Sequence, residues 1–156
     1  MNIVVRISTE SLDPVAEARA FASDHRRSGA IVTFTGQVRD EGGTVEELSL
    51  EHYPNFTEEK IRERGAEAVR RWSLDGAWVI HRVGKLIPGE PIVFVAAGAA
   101  HRRAAFAAVD FLMDYLKTSA PLWKKEISNG EPQWIEPRAE DYADAARWNP
   151  TGSVRS

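Results

Sequence analysis

A β-type run of apolar residues from Ile92 to Ala97 passes within four residues into a helical pattern that begins near His101 and is stopped by Pro121. No other segment constrains the fold as tightly. A strand feeding so directly into a helix has to share a core with it, so the chain must mix both kinds of element. The stripe Ala105, Val109, Leu112, Met113 and Leu116 has the spacing of one inward helix face, and proline ends the run because it cannot continue the hydrogen-bond ladder.

The remaining elements follow from the same signals. Asp13-Pro14 opens a helix, with Asp capping free amides and Pro suited to the first position; Val15, Ala18, Phe21 and Ala22 form its face, and Gly29 stops it. Ala30 to Val38 predicts a strand buried on at least one face, and Glu41-Gly42-Gly43 predicts a loop. Thr44 to Tyr53 is a second strand, with Leu48, Leu50 and His52 on one side. Thr57, Glu58 and Glu59 start a helix whose stripe is Ile61, Ala68, Val69 and Trp72. Gly76 to Val83 is a third strand, and Pro88-Gly89 turns the chain into the fourth, Ile92 to Ala97. Leu122 to Ile127 and Gln133 to Ile135 flank the hairpin signal Asn129-Gly130, and Glu140 to Trp148 closes the chain as a short helix. With no repeat and no linker, these elements predict one α+β domain over residues 1–148, a mostly antiparallel sheet with packed helices. Residues 149–156 are expected to be a C-terminal tail.

There is no cysteine. That excludes disulfides, thiolate nucleophiles and Cys-type metal sites, so any sulfur this protein handles must come from another molecule. The four histidines are scattered, without the i, i+4 spacing of a helical metal site, and no metal is expected. No apolar run approaches the ~20 residues of a membrane span, and no basic, apolar leader precedes the domain, so a cytoplasmic location is the expectation. A pI of about 5.8 and basic residues without interleaved exposed aromatics argue against general nucleic-acid binding.

The chain carries a formal net charge of -3, yet gathers cations in one stretch. His101-Arg102-Arg103 and Lys117, Lys124 and Lys125 fall within 25 residues and include three of the five lysines. Such a concentration predicts an anion site. His101-Arg102 stands where a strand gives way to a helix, so free amides and guanidiniums could cradle an anion there; solvated surface arginines are the plainer alternative. Lys117 closes the long helix, where a cation also offsets the dipole. Alternation sends Lys124 to one strand face and Trp123 and Lys125 to the other, and an inward lysine is rare unless paired or functional. Gly36-Gln37-Val38-Arg39 ends the first predicted strand, where sites tend to form. His52 and His81 sit on apolar strand faces and are expected to be core histidines.

Together these segments resemble the MoaE family, the large catalytic subunit of molybdopterin synthase. The resemblance is carried by Gly29-Ala30-Ile31-Val32-Thr33-Phe34-Thr35-Gly36-Gln37-Val38-Arg39, Leu50-Glu51-His52-Tyr53, His81-Arg82-Val83-Gly84 and Ala100-His101-Arg102. It continues through Leu116-Lys117-Thr118-Ser119-Ala120-Pro121-Leu122-Trp123-Lys124-Lys125-Glu126 and from Trp134 to Arg138. It implies a hammerhead-like subdomain and a homodimer at the centre of a heterotetramer, with no cofactor. The implied partner is a small ubiquitin-like sulfur carrier whose C-terminal Gly-Gly thiocarboxylate enters a pocket here. The implied substrate is the cyclic pyranopterin monophosphate, precursor Z. Carried over by position, Lys117 and Lys124 flank the thiocarboxylate and are the expected catalytic residues. Arg39, His101 and Arg102 hold the substrate phosphate; Gln37, Val38, Lys125 and Glu126 line the substrate; Arg138 completes a pocket, in this or the neighbouring subunit. Gln37 and Ser119 depart from the family pattern: relatives often have lysine at the first position, and some have arginine at the second. Two rival readings use the same cations: a non-catalytic module for a phosphorylated metabolite or acidic peptide tail, and a structural dimer whose cations pair with the acidic segment from Asp40 to Glu67.

Overall fold

A computed structural model describes residues 2–149. In chain order they form β1 (Ile3–Ser8), α1 (Pro14–Asp24), β2 (Ala30–Gln37), a 3-10 turn (Glu41–Gly43), β3 (Val45–His52), α2 (Phe56–Trp72), β4 (Gly76–Arg82), β5 (Gly84–Leu86), β6 (Pro91–Ala99), α3 (Arg102–Thr118), β7 (Leu122–Ser128), β8 (Glu131–Ile135) and α4 (Ala139–Ala146). One four-stranded sheet has the order β1-β4-β6-β2 and a second has the order β5-β3-β7-β8. Pairing is antiparallel except between β1 and β4. The α+β class with mostly antiparallel strands is as expected.

The two central strands of the first sheet are buried on both faces, which is why their sequences show apolar runs rather than clean alternation. Ala77, Val79, Val93, Val95 and Ala97 face α2 and α3 and share a core with Ile61, Ala68, Ala108 and Leu112. The other face presents Trp78, Ile80, Phe94 and Ala96 to Phe21 of α1. A third cluster of Val38, Val45, Leu48, Leu50, Val83 and Leu86 joins the two sheets. Gly65 is what lets α2 lie against β1, since a Cβ there would overlap Ile3.

Two expectations are corrected. β2 is an edge strand whose inward face is only partly buried: Ala30 and Val32 pack against the core, while Ile31 and Phe34 are 36% and 39% exposed. On α1 only Phe21 is fully buried, while Val15 and Ala22 are exposed, because the helix touches the sheet along a single narrow line. Its cap is as expected, with Asp13 accepting the Ala16 N–H at 3.1 Å. The helix expected from Thr57 starts one residue earlier, at Phe56. The Asn129-Gly130 turn, both residues at positive φ, joins β7 to β8. Of the expected tail, residues 150–156 lie outside the described residues.

Candidate functional site

A cleft of about 790 Å³ opens between the last turn of α3, the β7–β8 hairpin and the backbone beyond β2. Gln37, Val38, Arg39, Lys117, Lys124, Glu126 and Arg138 line it. Seven of the ten residues expected at the site therefore meet in one protomer. Lys125, His101 and Arg102 do not.

Lys117 lies exposed on the final turn of α3. The helix ends when the amides of Ser119 and Ala120 both donate to the Tyr115 carbonyl, at 2.9 and 3.0 Å. The reversing chain is then pinned from below. The Thr57 hydroxyl, wholly buried, donates to the Pro121 carbonyl at 2.8 Å and accepts the Tyr53 N–H at 2.9 Å. That tie brings β7 back beneath α3, so Lys124 enters the cleft that Lys117 overhangs.

Lys124 lies opposite Leu50 of β3 and Ile135 of β8, half-buried. Burial first, and then the neighbouring Lys117 charge, push its ammonium down to about 8, with Asp141 opposing. None of the ion pairs among the described residues involves either lysine. Two cations are thus held close together and uncompensated at short range. The reading in which they merely pair with the acidic segment is not what the structure shows.

The far wall is backbone. Val38 N–H donates to the Glu90 carbonyl at 3.0 Å and its carbonyl accepts from Gly89 at 2.9 Å. The Glu90 carboxylate in turn accepts the Ile87 N–H at 2.8 Å and pairs with buried Arg82 at 3.3 Å. Gly89, at φ +92, supplies the left-handed turn this requires. Beyond Val38, the Arg39 guanidinium reaches Glu41 at 2.8 Å. On the near wall Glu126 accepts the Ser128 hydroxyl at 2.9 Å. Arg138 is the N-cap of α4; its backbone N–H donates to Asp141 at 2.9 Å and its guanidinium lies 3.5 Å from the same carboxylate. Asp141 lines the cleft and was missed from sequence, although an acidic residue three positions into a helix is a readable capping signal.

Alternation along β7 places Lys125 on the opposite face, its Nζ 5.5 Å from the Trp134 ring centre. Trp123 and Trp134 are 38% and 57% exposed, so exposed aromatics do stand beside the lysines, contrary to expectation. They do so because β8 is a sheet edge. His101 caps α3 and Arg102 begins it, roughly 22 Å along the axis from Lys117 at 1.5 Å per residue. Among the described residues no three His, Asp or Glu side chains are grouped to hold a metal. A second hollow of about 1010 Å³ lies between β2 and α3, walled by Phe34, Trp72, Phe106, Met113 and Trp148. Its lining is mostly apolar, with Arg103 and Asp110 its charged members.

His81 is a core histidine, as expected. Its Nδ1 lies 2.7 Å from the Arg82 carbonyl, and burial holds the ring down at about 4 instead of 6.5. Because the folded value is the lower one, the unfolded chain takes up the proton first. Stability is full above pH 6.5 and is lost as pH falls towards 4, by up to ~3 kcal/mol. Urea midpoints measured from pH 7 to 4.5 are expected to fall, and His81→Gln is expected to flatten that slope. An unchanged slope in the variant would assign the acid loss to other groups.

Comparison with known proteins places these features in context. The family model described as "MoaE protein" matches residues 7–119. A molybdopterin synthase catalytic subunit from Cereibacter sphaeroides is 50% identical over 144 residues, covering 92% of this chain and 99% of the relative. One from Caulobacter vibrioides is 47% identical over 147 residues, covering 94% and 98%. Among solved structures, a molybdopterin biosynthesis MoaE protein from Burkholderia ambifaria has a TM-score of 0.80 at 44% identity, covering 94% of this chain and 97% of that one.

Proposed function

The chain belongs to the MoaE family, and on that premise we propose that it is the catalytic subunit of a molybdopterin synthase. It takes sulfur from the C-terminal thiocarboxylate of a small ubiquitin-like carrier and adds it to precursor Z, forming the dithiolene of molybdopterin. The observation that supports this best is the Lys117–Lys124 pair, neither member in a direct ion pair among the described residues, at the head of an open cleft. A thiocarboxylate and a substrate phosphate are both anionic, and both lower the repulsion between two such ammoniums.

The chemistry follows from the cleft. Attack of the thiocarboxylate sulfur on the pterin side chain moves negative charge onto the departing oxygen and leaves a thioester to the carrier. Water then cleaves that thioester, with charge developing at its carbonyl, so the carrier leaves as a carboxylate and the sulfur stays on the pterin, once for each of the two sulfurs. Fixed ammonium groups stabilise that charge where water is partly excluded. Lys124, already pushed towards neutral pH, is the better proton donor of the two. Lys117, exposed at the mouth, is placed to meet the incoming carrier tail. Arg39 and Arg138 extend the positive rim on either side.

His101 and Arg102 enter this scheme only through a second copy of the chain, because a helix length separates them from the lysines. A homodimer in which each copy lends the start of its α3 to the other's cleft is the arrangement that brings them to it, while Lys125 stays on the opposite face of β7. The edge strand β2 and the apolar hollow beside it offer surface for such pairing. No described helix is long and apolar enough to cross a membrane, and a cytoplasmic site of action is part of this proposal.

Mixing the protein with thiocarboxylated carrier and precursor Z should yield molybdopterin. Binding of both without product would instead favour the rival reading, a non-catalytic module for phosphorylated metabolites or acidic tails.

A further inference from the structure

One carboxylate in the cleft has no part in the chemistry above. Asp141 lies in the first turn of α4 with its side chain only 12% exposed, while Arg138 beside it is 69% exposed. It is fixed at two points, the Arg138 backbone N–H at 2.9 Å and the Arg138 guanidinium at 3.5 Å. It shares the cleft lining with Lys117 and Lys124. We propose that Asp141 is a positioning residue for sulfur transfer: it holds Arg138 at the cleft rim and is the fixed counter-charge that lets Lys124 stay charged beside Lys117. This rests on the sulfur-transfer reading for its consequence, though not for its electrostatics.

Two ammoniums sharing a half-buried cleft repel each other, and the more buried of them, Lys124, is pushed towards shedding its proton. A single immobile negative charge nearby offsets that tendency without neutralising either lysine by direct contact. The influence runs both ways. The Arg138 backbone N–H, then its guanidinium and the Lys117 charge, hold the Asp141 carboxyl below its ordinary range, and Asp141 pulls the Lys124 ammonium upward against burial and Lys117.

The other charged groups around Lys124 do not substitute for it. Glu126, on β7 itself, bonds Ser128, and Glu41 beyond β2 pairs with Arg39; neither is among the charges that act on Lys124, whereas Asp141 is. Glu136, from the link into α4, lines the cleft but does not shift Lys124. Behind the strand, His81 of β4 is held neutral by burial, with His52 of β3 its neighbour.

The test uses the full chain with its lysines reductively methylated with 13C-formaldehyde, so that Lys124 is titrated directly by NMR and assigned with Lys124→Arg. Asp141→Asn keeps an oxygen for the Arg138 N–H but removes the charge. The expected result is a Lys124 midpoint lower than wild type by ~0.5 unit or more. In the assembled synthase the alkaline limb of the sulfur-transfer profile should move down equally. Asp141→Glu, which keeps the charge, should stay near wild type, with circular dichroism checking that α4 is intact in both. An unmoved midpoint in a folded Asp141→Asn, with activity reduced equally at every pH, would mean that Asp141 only caps α4 and would overturn the proposal. If the wild type transfers no sulfur, the functional reading fails, and the titration still decides the counter-charge role.

Discussion

Lys117→Ala is expected to remain folded and to bind the carrier, yet to lose sulfur transfer by a factor of ~10²–10³. The side chain is exposed and makes no ion pair among the described residues. Its structural contribution is the favourable end-of-helix charge, worth ~0.3–1 kcal/mol. Loss of a charge contact made to the transition state costs several times more, so the two roles separate cleanly. Lys117→Arg is the informative companion, because it keeps the charge but not the shape or the readily released proton. Near-full activity in Lys117→Arg would make Lys117 an electrostatic anchor and leave proton transfer to Lys124. Near-full activity in Lys117→Ala would reduce Lys117 to a helix-end cation. The alanine variant carries its own internal check: with the neighbouring charge gone, the Lys124 midpoint should rise above about 8.

Lys124→Met is expected to abolish activity and stabilise the fold. Burial holds the Lys124 ammonium at about 8 against 10.5 in a solvated chain. The sign follows from which state holds the proton more tightly. Below pH 8 both states are charged and the folded state carries the whole desolvation cost; between 8 and 10.5 that cost is progressively relieved as the folded amine goes neutral. The gap sets a ceiling of ~3 kcal/mol, and partial exposure with solvent screening brings the effective figure to ~1–2 kcal/mol. Methionine keeps most of the aliphatic stem without the charge, so Tm at pH 7 should rise by ~2–6 °C. Wild type should also gain more stability than the variant between pH 8 and 10. A Tm that falls by a similar amount would mean that Lys124 makes favourable contacts outweighing its burial.

Local chemistry made most elements readable. The Asp13-Pro14 cap, the Asn129-Gly130 turn and the Pro121 stop are one- or two-residue signals, and the boundaries they mark lie within a residue or two of their expected places, whereas α1 ends at Asp24, well before the expected stop at Gly29. β1 escaped notice because its apolar residues gain meaning only from the parallel partner β4, some seventy positions away. β5, with three residues, is too short for any period. The burial of β2 was overestimated because β-branched residues mark a strand without saying whether it lies at a sheet edge. At the site, the alternation rule separated Lys124 from Lys125 correctly. What it could not supply was the return of α4 over α3, locked by Arg147 to Asp110 and Asp114 and by Trp148 to Asp114 at 2.7–2.9 Å. That return is what places Asp141 across from the lysines, and no local spacing encodes it.

The unbroken run of α3 from Arg102 to Thr118 makes its length a counted quantity. One residue inserted between Arg102 and Lys117 would rotate everything beyond it by ~100° and lengthen the helix by ~1.5 Å. Either the Lys117 amine would leave the cleft, or the face holding Ala105, Val109 and Leu112 would leave the sheet. Seven added residues would restore the face but set the two charged ends about 10 Å further apart. The helix therefore behaves as a gauge block: its interior letters can be exchanged for others of like size, while their number cannot be changed.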